Sequence, residues 1–274
     1  MKFALCNEVI ADRPFEAQCA FAAELGYDGL EIAPFTLGDD PRALTEADIR
    51  PVKAALANAG IVATGLHWLL VKPAGLSITA ADAAIRRTTR DVMVANVDLC
   101  AELGGTVLVH GSPAQRMLGG DAEAARGRAT ELFAEVAEVA QAAGVTYCLE
   151  PLRAVETDFV NTVSQAVQIV EAVASPNFRT MIDTSAAATM EAEPVADAIR
   201  RWMPTGHIAH IQFNDSNRRA AGQGEDRFRD VLAALAETGY DGTIAMEPFD
   251  YVPDGPAAAA FTLGYVRGLM EALA

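Results

Sequence analysis

Polar and apolar positions along this chain fall into one repeated phrase. An Ala- and Leu-rich stretch of helical spacing meets a Gly, and a short, nearly continuous apolar run follows. It reads "AELGYDGLEIAPF" at 23–35, "ALANAGIVATGLHW" at 55–68, "AELGGTVLVHGSP" at 101–113, "AQAAGVTYCLEP" at 140–151 and "AETGYDGTIAMEPF" at 236–249. A Gly just past a helix supplies its left-handed stop. An unbroken apolar run is what a strand buried on both faces of a parallel sheet requires. The pattern predicts strands at 2–7, 28–33, 61–67, 105–110, 145–150, 179–183, 207–213 and 243–247. Helices are predicted at 15–25, 44–58, 80–103, 122–143, 161–174, 190–203, 226–238 and 256–273. Eight β-then-α units predict an α/β protein, a single (β/α)8 barrel of the TIM type over residues 1–274. A doubly wound open sheet is the competing arrangement, but no GxGxxG follows the first strand.

Composition narrows the function classes. The chain has 274 residues, 51% of them hydrophobic, which is enough for one large core. Its formal charge is -16, from 37 acidic against 21 basic residues, and this opposes nucleic-acid binding. No apolar run approaches the ~20 residues of a membrane span. The start, "MKFALCNE", lacks the form of a cleavable leader. Cys6, Cys19, Cys100 and Cys148 are scattered without a CxxC pair. The expectation is a cytoplasmic protein with reduced, buried cysteines, and with neither membrane nor nucleic acid as a partner.

Polar residues mark the places where the strands stop. In order they are Glu8, Glu31, His67, His110, Glu150, Asp183, Gln212 with Asn214 and Asp215, and Glu247. Active sites of such barrels form at that rim. For any single one, a solvated strand end or helix cap is the ordinary explanation. A whole ring of carboxylates would repel itself in a low-dielectric mouth unless a cation sat among them. Glu150 and Glu247 each precede a Pro, which holds them in the extended region and aims both along one rim.

Four segments, "CLEPLRAVETDF" (148–159), "MIDTS" (181–185), "HIQFNDSNRRAAGQGE" (210–225) and "AMEPF" (245–249), resemble the xylose-isomerase-like sugar isomerase/epimerase superfamily. That group includes ketose 3-epimerases, hydroxypyruvate isomerase, inosose dehydratase and, more remotely, endonuclease IV. The resemblance covers the whole chain. It implies one divalent ion held by Glu150, Asp183, Gln212 and Glu247, with Glu156 and Arg218 on the substrate side. Two positions depart from the epimerase pattern. Gln212 stands where a His is usual, as in hydroxypyruvate isomerase, and Ala186 stands where the epimerases carry a His.

Three carboxylates and an amide oxygen make an all-oxygen site that favours Mn²⁺ or Mg²⁺; Co²⁺ and Zn²⁺ are also compatible. Glu150 and Glu247, from opposite sides of the bound substrate, would take a proton next to its carbonyl and return it, through an enediolate. The expected activity is isomerisation or epimerisation of a small sugar or hydroxy-keto acid. An inosose dehydratase-like lyase and a non-catalytic sugar-binding barrel are the alternatives. An endonuclease IV-like activity would need more histidines than the four present and a basic groove. His67 and His110 are read as substrate-binding donors, with Trp68 as an apolar wall, or else as packing residues. Arg116 reads as a surface or loop-bracing residue, and 218–226 as a lid or a plain surface loop. The family resemblance implies a homodimer or tetramer.

Overall fold

The computed structural model describes residues 1–273. Along the chain come β1 (Lys2–Cys6), α1 (Phe15–Leu25), β2 (Gly29–Ile32), α2 (Glu46–Ala59), β3 (Val62–Leu66) and α3 (Ala83–Leu103). Then follow β4 (Val107–His110), α4 (Ala122–Ala143), β5 (Thr146–Leu149), α5 (Val163–Val173) and β6 (Phe178–Asp183). The last quarter holds α6 (Thr184–Met190), α7 (Val195–Trp202), β7 (Ile208–Phe213), α8 (Phe228–Glu237), β8 (Thr243–Met246) and α9 (Gly255–Glu271). The strands close into one parallel ring, β1 to β8, with β8 pairing back onto β1. The (β/α)8 barrel expected from the repeated phrase is present.

The local chemistry explains most boundaries. Gly26 ends α1 and Gly144 ends α4 in the left-handed region, at φ 90° and 72°, which glycine adopts without steric cost. At helix starts, Asp82, Asp121, Thr162 and Asp254 accept a backbone N–H of the first turn. One predicted helix is corrected. The stretch 190–203 is broken: α6 ends at Met190, 191–194 are not helical, and α7 starts at Val195, behind Pro194. The short helix α6 was not foreseen. It starts directly from β6 because the Asp183 side chain accepts the Ala186 N–H at 2.7 Å.

Two apolar regions hold the barrel. The larger lies between the strands and the helix ring and includes Leu108, Phe133, Tyr147, Phe178, Phe213 and Phe228. The smaller is a plug inside the barrel made of Val107, Val109, Cys148 and Met181. Alternation along each strand therefore decides whether a side chain faces the helices or the barrel axis. Toward the rim, inward-facing positions turn polar, with Glu31, His67, His210 and Gln212 all buried. Among the described residues, no helix is long and apolar enough to cross a membrane.

Candidate functional site

Glu150, Asp183 and Glu247 arrive at the rim from β5, β6 and β8. Each offers an oxygen within 4.8 Å of the others, and all three side chains are buried. One oxygen of two of these groups is already engaged. Asp183 Oδ1 caps α6, and Glu247 Oε1 accepts the Trp68 indole N–H at 2.9 Å. The remaining oxygens, Asp183 Oδ2 and Glu247 Oε2, are buried without any partner. Glu150 reaches its place only because the neighbouring strand end is Gly111. A Cβ there would stand 1.8 Å from Glu150 Oε2. Asn214 ties the ends together, taking the Ser185 N–H on its carbonyl and donating to the Glu247 backbone oxygen.

Electrostatics disfavour this cluster as it stands. Burial, then the charge of Asp183, pushes Glu150 well above the usual carboxylate range. Burial, then Glu150, does the same to Glu247. Burial lifts Asp183 to about 7 against the opposing help of its Ala186 and Asn214 hydrogen bonds. Three buried carboxyls with free oxygens facing one another are a donor set for a hard divalent cation. Gln212 pairs in register with Asp183 on the adjacent strand. Its Nε2 donates to Glu31 Oε1 at 2.7 Å, while its Oε1 is buried and unpartnered. The donor chemistry therefore fits a metal.

The opposite side of the rim is paired. His67 Nε2 lies 2.6 Å from Glu8 Oε2, and His210 Nε2 lies 2.8 Å from Glu31 Oε2. Burial would raise Glu31, but His210, His67 and Gln212 hold it down to about 2. Burial would likewise lower His67, yet Glu8 and Glu31 raise it. Cys6, Glu8, His67 and Glu247 form a second group with ligand atoms within 4.8 Å. In it the His67–Glu8 pair has closed on itself, and burial keeps the Cys6 thiol far from ionising.

Outside the three carboxyls opens a cleft lined by Trp68, Leu152, Glu156, Arg218 and Phe249. Trp68 and Phe249 meet edge to face across it at 6.1 Å. Glu156 receives Arg153 Nη2 at 3.1 Å and Arg218 Nη1 at 2.7 Å, so two guanidiniums share one carboxylate on its wall. Arg218 also lies over the Phe249 ring at 4.4 Å. Ala186 contributes only a methyl group to the wall. The segment that carries Arg218 is pinned. The Asp215 carboxylate accepts the N–H groups of Gly222 and Gly224, and Ala220 and Ala221 are fully buried. The stretch 218–226, read as a lid or a plain surface loop, is thus a braced loop in this conformation.

Several expectations meet a different geometry. Of the two readings of His110, substrate donor or packing residue, the geometry favours the second. Its neighbours Val107 and Val109 face the barrel plug, so His110 faces the helices. There its Nδ1 meets Tyr147 OH at 2.8 Å and its ring stands edge-on to Phe133 of α4. Burial, then Arg116, lowers it to about 3, so it is neutral packing and lines no part of the cleft. His67 is also spent, on Glu8. Its neighbour Trp68 forms the wall and adds an indole N–H that the sequence reading did not use. Arg116 is fully buried rather than on the surface, and braces the backbone oxygens of His110 and Glu150. Sequence reasoning missed Gly111, Arg153 and the Glu31–Gln212 bond. Gly111 carried a signal, since a Gly directly after a strand opposite a Glu-Pro step leaves space for that glutamate.

Residues 19–267 match the family described as xylose isomerase-like TIM barrel. The chain is similar to the D-psicose 3-epimerase of Ruminiclostridium cellulolyticum, 30% identical over 231 residues, covering 83% of this chain and 75% of that protein. It is 29% identical over 243 residues to the L-ribulose 3-epimerase of Mesorhizobium japonicum, covering 87% and 77%. The crystal structure of D-psicose 3-epimerase with D-tagatose, from Clostridium cellulolyticum H10, superposes with a TM-score of 0.83 at 24% identity. The match covers 98% of this chain and 99% of that one, a likeness of fold.

Proposed function

The chain belongs to the xylose isomerase-like TIM barrel family, and on that premise we propose that it is a divalent-metal-dependent epimerase or isomerase of a small sugar or hydroxy-keto acid. The observation that carries this reading is the trio Glu150, Asp183 and Glu247, buried and mutually close, with Asp183 Oδ2 and Glu247 Oε2 left without a partner. The names of the relatives favour epimerisation at carbon 3 of a ketose. The ion, Mn²⁺ or Mg²⁺ by its all-oxygen donors, would be held by those three carboxylates with Gln212 Oε1. When bound, it would polarise the substrate carbonyl and acidify the adjacent C–H.

The rest is the work of the chain's own groups. Glu150 and Glu247 stand on strands five and eight, so one takes the proton and the other returns it to the opposite face or the next carbon. Trp68 fixes the orientation of the Glu247 carboxylate through its N–H on Oε1. Glu156, Arg153 and Arg218 offer hydroxyl-binding groups on the cleft wall, while Trp68 and Phe249 cover the apolar side of the sugar ring or chain. With the metal-binding acids on one side and a small cleft on the other, the reading includes neither nucleic acid nor membrane as a partner. It places the protein in the cytoplasm, as a homodimer or tetramer.

The test is a Mn²⁺-supplemented turnover screen over ketoses, hydroxypyruvate and inososes, run in D₂O. Expected is an isomer or epimer carrying solvent deuterium at the carbon next to the carbonyl, and loss of activity after chelation. Product short of one water would move the enzyme to the lyases. Equal Mn²⁺ binding by Asp183→Ala and the parent would remove the proposed ligand set.

A further inference from the structure

Resting on the metal reading above, we propose that Glu31 is a positioning residue: it turns the Gln212 amide so that its oxygen, not its NH2, faces the three carboxyls. An amide has one acceptor end and one donor end. Facing Glu150, Asp183 and Glu247 unaided, Gln212 would present its NH2, because donors are drawn to carboxylates. In that orientation it offers a cation nothing. Something must hold the donor end elsewhere.

Glu31 does so from across the barrel. It stands on β2 and Gln212 on β7, so the 2.7 Å bond from Nε2 to Glu31 Oε1 crosses the interior. The same carboxylate meets His210 Nε2, two residues earlier on β7, at 2.8 Å. The Cys6 thiol donates to Oε1 at 3.7 Å, and His67 Nδ1 stands 3.8 Å from that oxygen. Four donor-capable groups converge on two oxygens, so Glu31 has only an acceptor's part to play. Both Glu31 and Gln212 are completely buried, so solvent cannot take over the amide. Turning the amide over would set its oxygen against the Glu31 carboxylate, acceptor on acceptor, so the orientation with Nε2 on Glu31 is the one Glu31 enforces. The unpartnered Oε1 is the consequence. Outer groups that orient a ligand are worth about 10–100-fold in metal affinity.

Glu31→Gln keeps shape and volume but can offer an N–H of its own, which frees Gln212 to turn over. Mn²⁺ affinity is measured on apo protein by electron paramagnetic resonance for the parent, Glu31→Gln, Gln212→Ala and the double variant. Expected is a 10–100-fold loss for Glu31→Gln in the parent background and no further loss in the Gln212→Ala background. Parental affinity of Glu31→Gln, or strictly additive losses, would overturn the proposal. A parent that binds no Mn²⁺ would instead overturn the metal reading on which it rests. Should Glu31→Gln fail to fold, the parent supplies the answer. Its Gln212 side-chain NH2 signals, assigned by their absence in Gln212→Ala, should exchange slowly with solvent. They should stay in place on adding Mg²⁺. Fast exchange would overturn the proposal equally.

Discussion

The polar groups on strands one to three and those on strands five, six and eight sit at the same rim, yet they live under opposite conditions. On the first side each carboxylate faces a histidine: Glu8 has His67, and Glu31 has His210 as well as the Gln212 amide, although Glu8 Oε1 has no partner of its own. On the second, Glu150, Asp183 and Glu247 face one another with no histidine among them, and one oxygen each of Asp183 and Glu247 is unpartnered. The first arrangement holds Glu31 down to about 2; the second lifts Asp183 to about 7. A carboxylate in a barrel mouth is therefore not by itself a sign of function. What marks the proposed site is that three carboxyls face one another, with Asp183 Oδ2 and Glu247 Oε2 left over.

The sharpest break of this contrast is Glu150→Gln or Glu247→Gln. Each keeps an oxygen for the ion but removes a base, so turnover should fall on the order of 10²–10⁴-fold while much of the metal stays bound. Full turnover in either variant would reduce that residue to a ligand. Next comes Gly111→Ala. Its new Cβ would stand 1.8 Å from Glu150 Oε2, so the glutamate must move. Displacing a reacting group by an ångström costs roughly 10²-fold in turnover, and unchanged kinetics would show that Glu150 has room it was thought to lack.

On the paired side, His67→Ala should leave Mn²⁺ affinity intact and cost stability instead. Stranding one partner of a buried pair costs about 3 kcal/mol, measured by denaturant unfolding. A loss of metal affinity as large as that of Asp183→Ala would erase the distinction between the two sides. The smallest expected effect is in pH dependence without metal. Asp183 is raised from 3.8 to about 7, so between those values the folded protein holds the extra proton and stability falls as pH rises. Asp183→Asn should flatten that decline in thermal melts of chelated protein between pH 4 and 7. Mn²⁺ should offset it in the parent at pH 7. Superimposable pH profiles for parent and variant would count against the burial argument.

Much of the fold could be read in the chain because a barrel repeats one local instruction. Helix, Gly and apolar strand recur with little dependence on distant residues, so strand positions emerged within a residue or two. Glu150 and Glu247 were visible as well, since Pro fixes the residue before it. What escaped depends on direction and reach. His110 looked like a rim donor, although Val107 and Val109 share its strand and set the alternation that sends it to the helices. The α6 helix was hidden because Asp183 serves both as strand end and as cap. The Glu31–Gln212 bond joins residues 181 positions apart, and no periodicity announces such a pairing.

The closure of β8 onto β1 has a bearing on what the trio depends on. Glu247 follows the final strand, and that strand hydrogen-bonds to the first one and to β7. Glu150 and Asp183 follow or end neighbouring staves in mid-chain, whereas the third carboxylate comes from the far end of the sequence. The trio is therefore a property of the sealed ring: parting β8 from its two neighbours would remove one member and leave the other two in place.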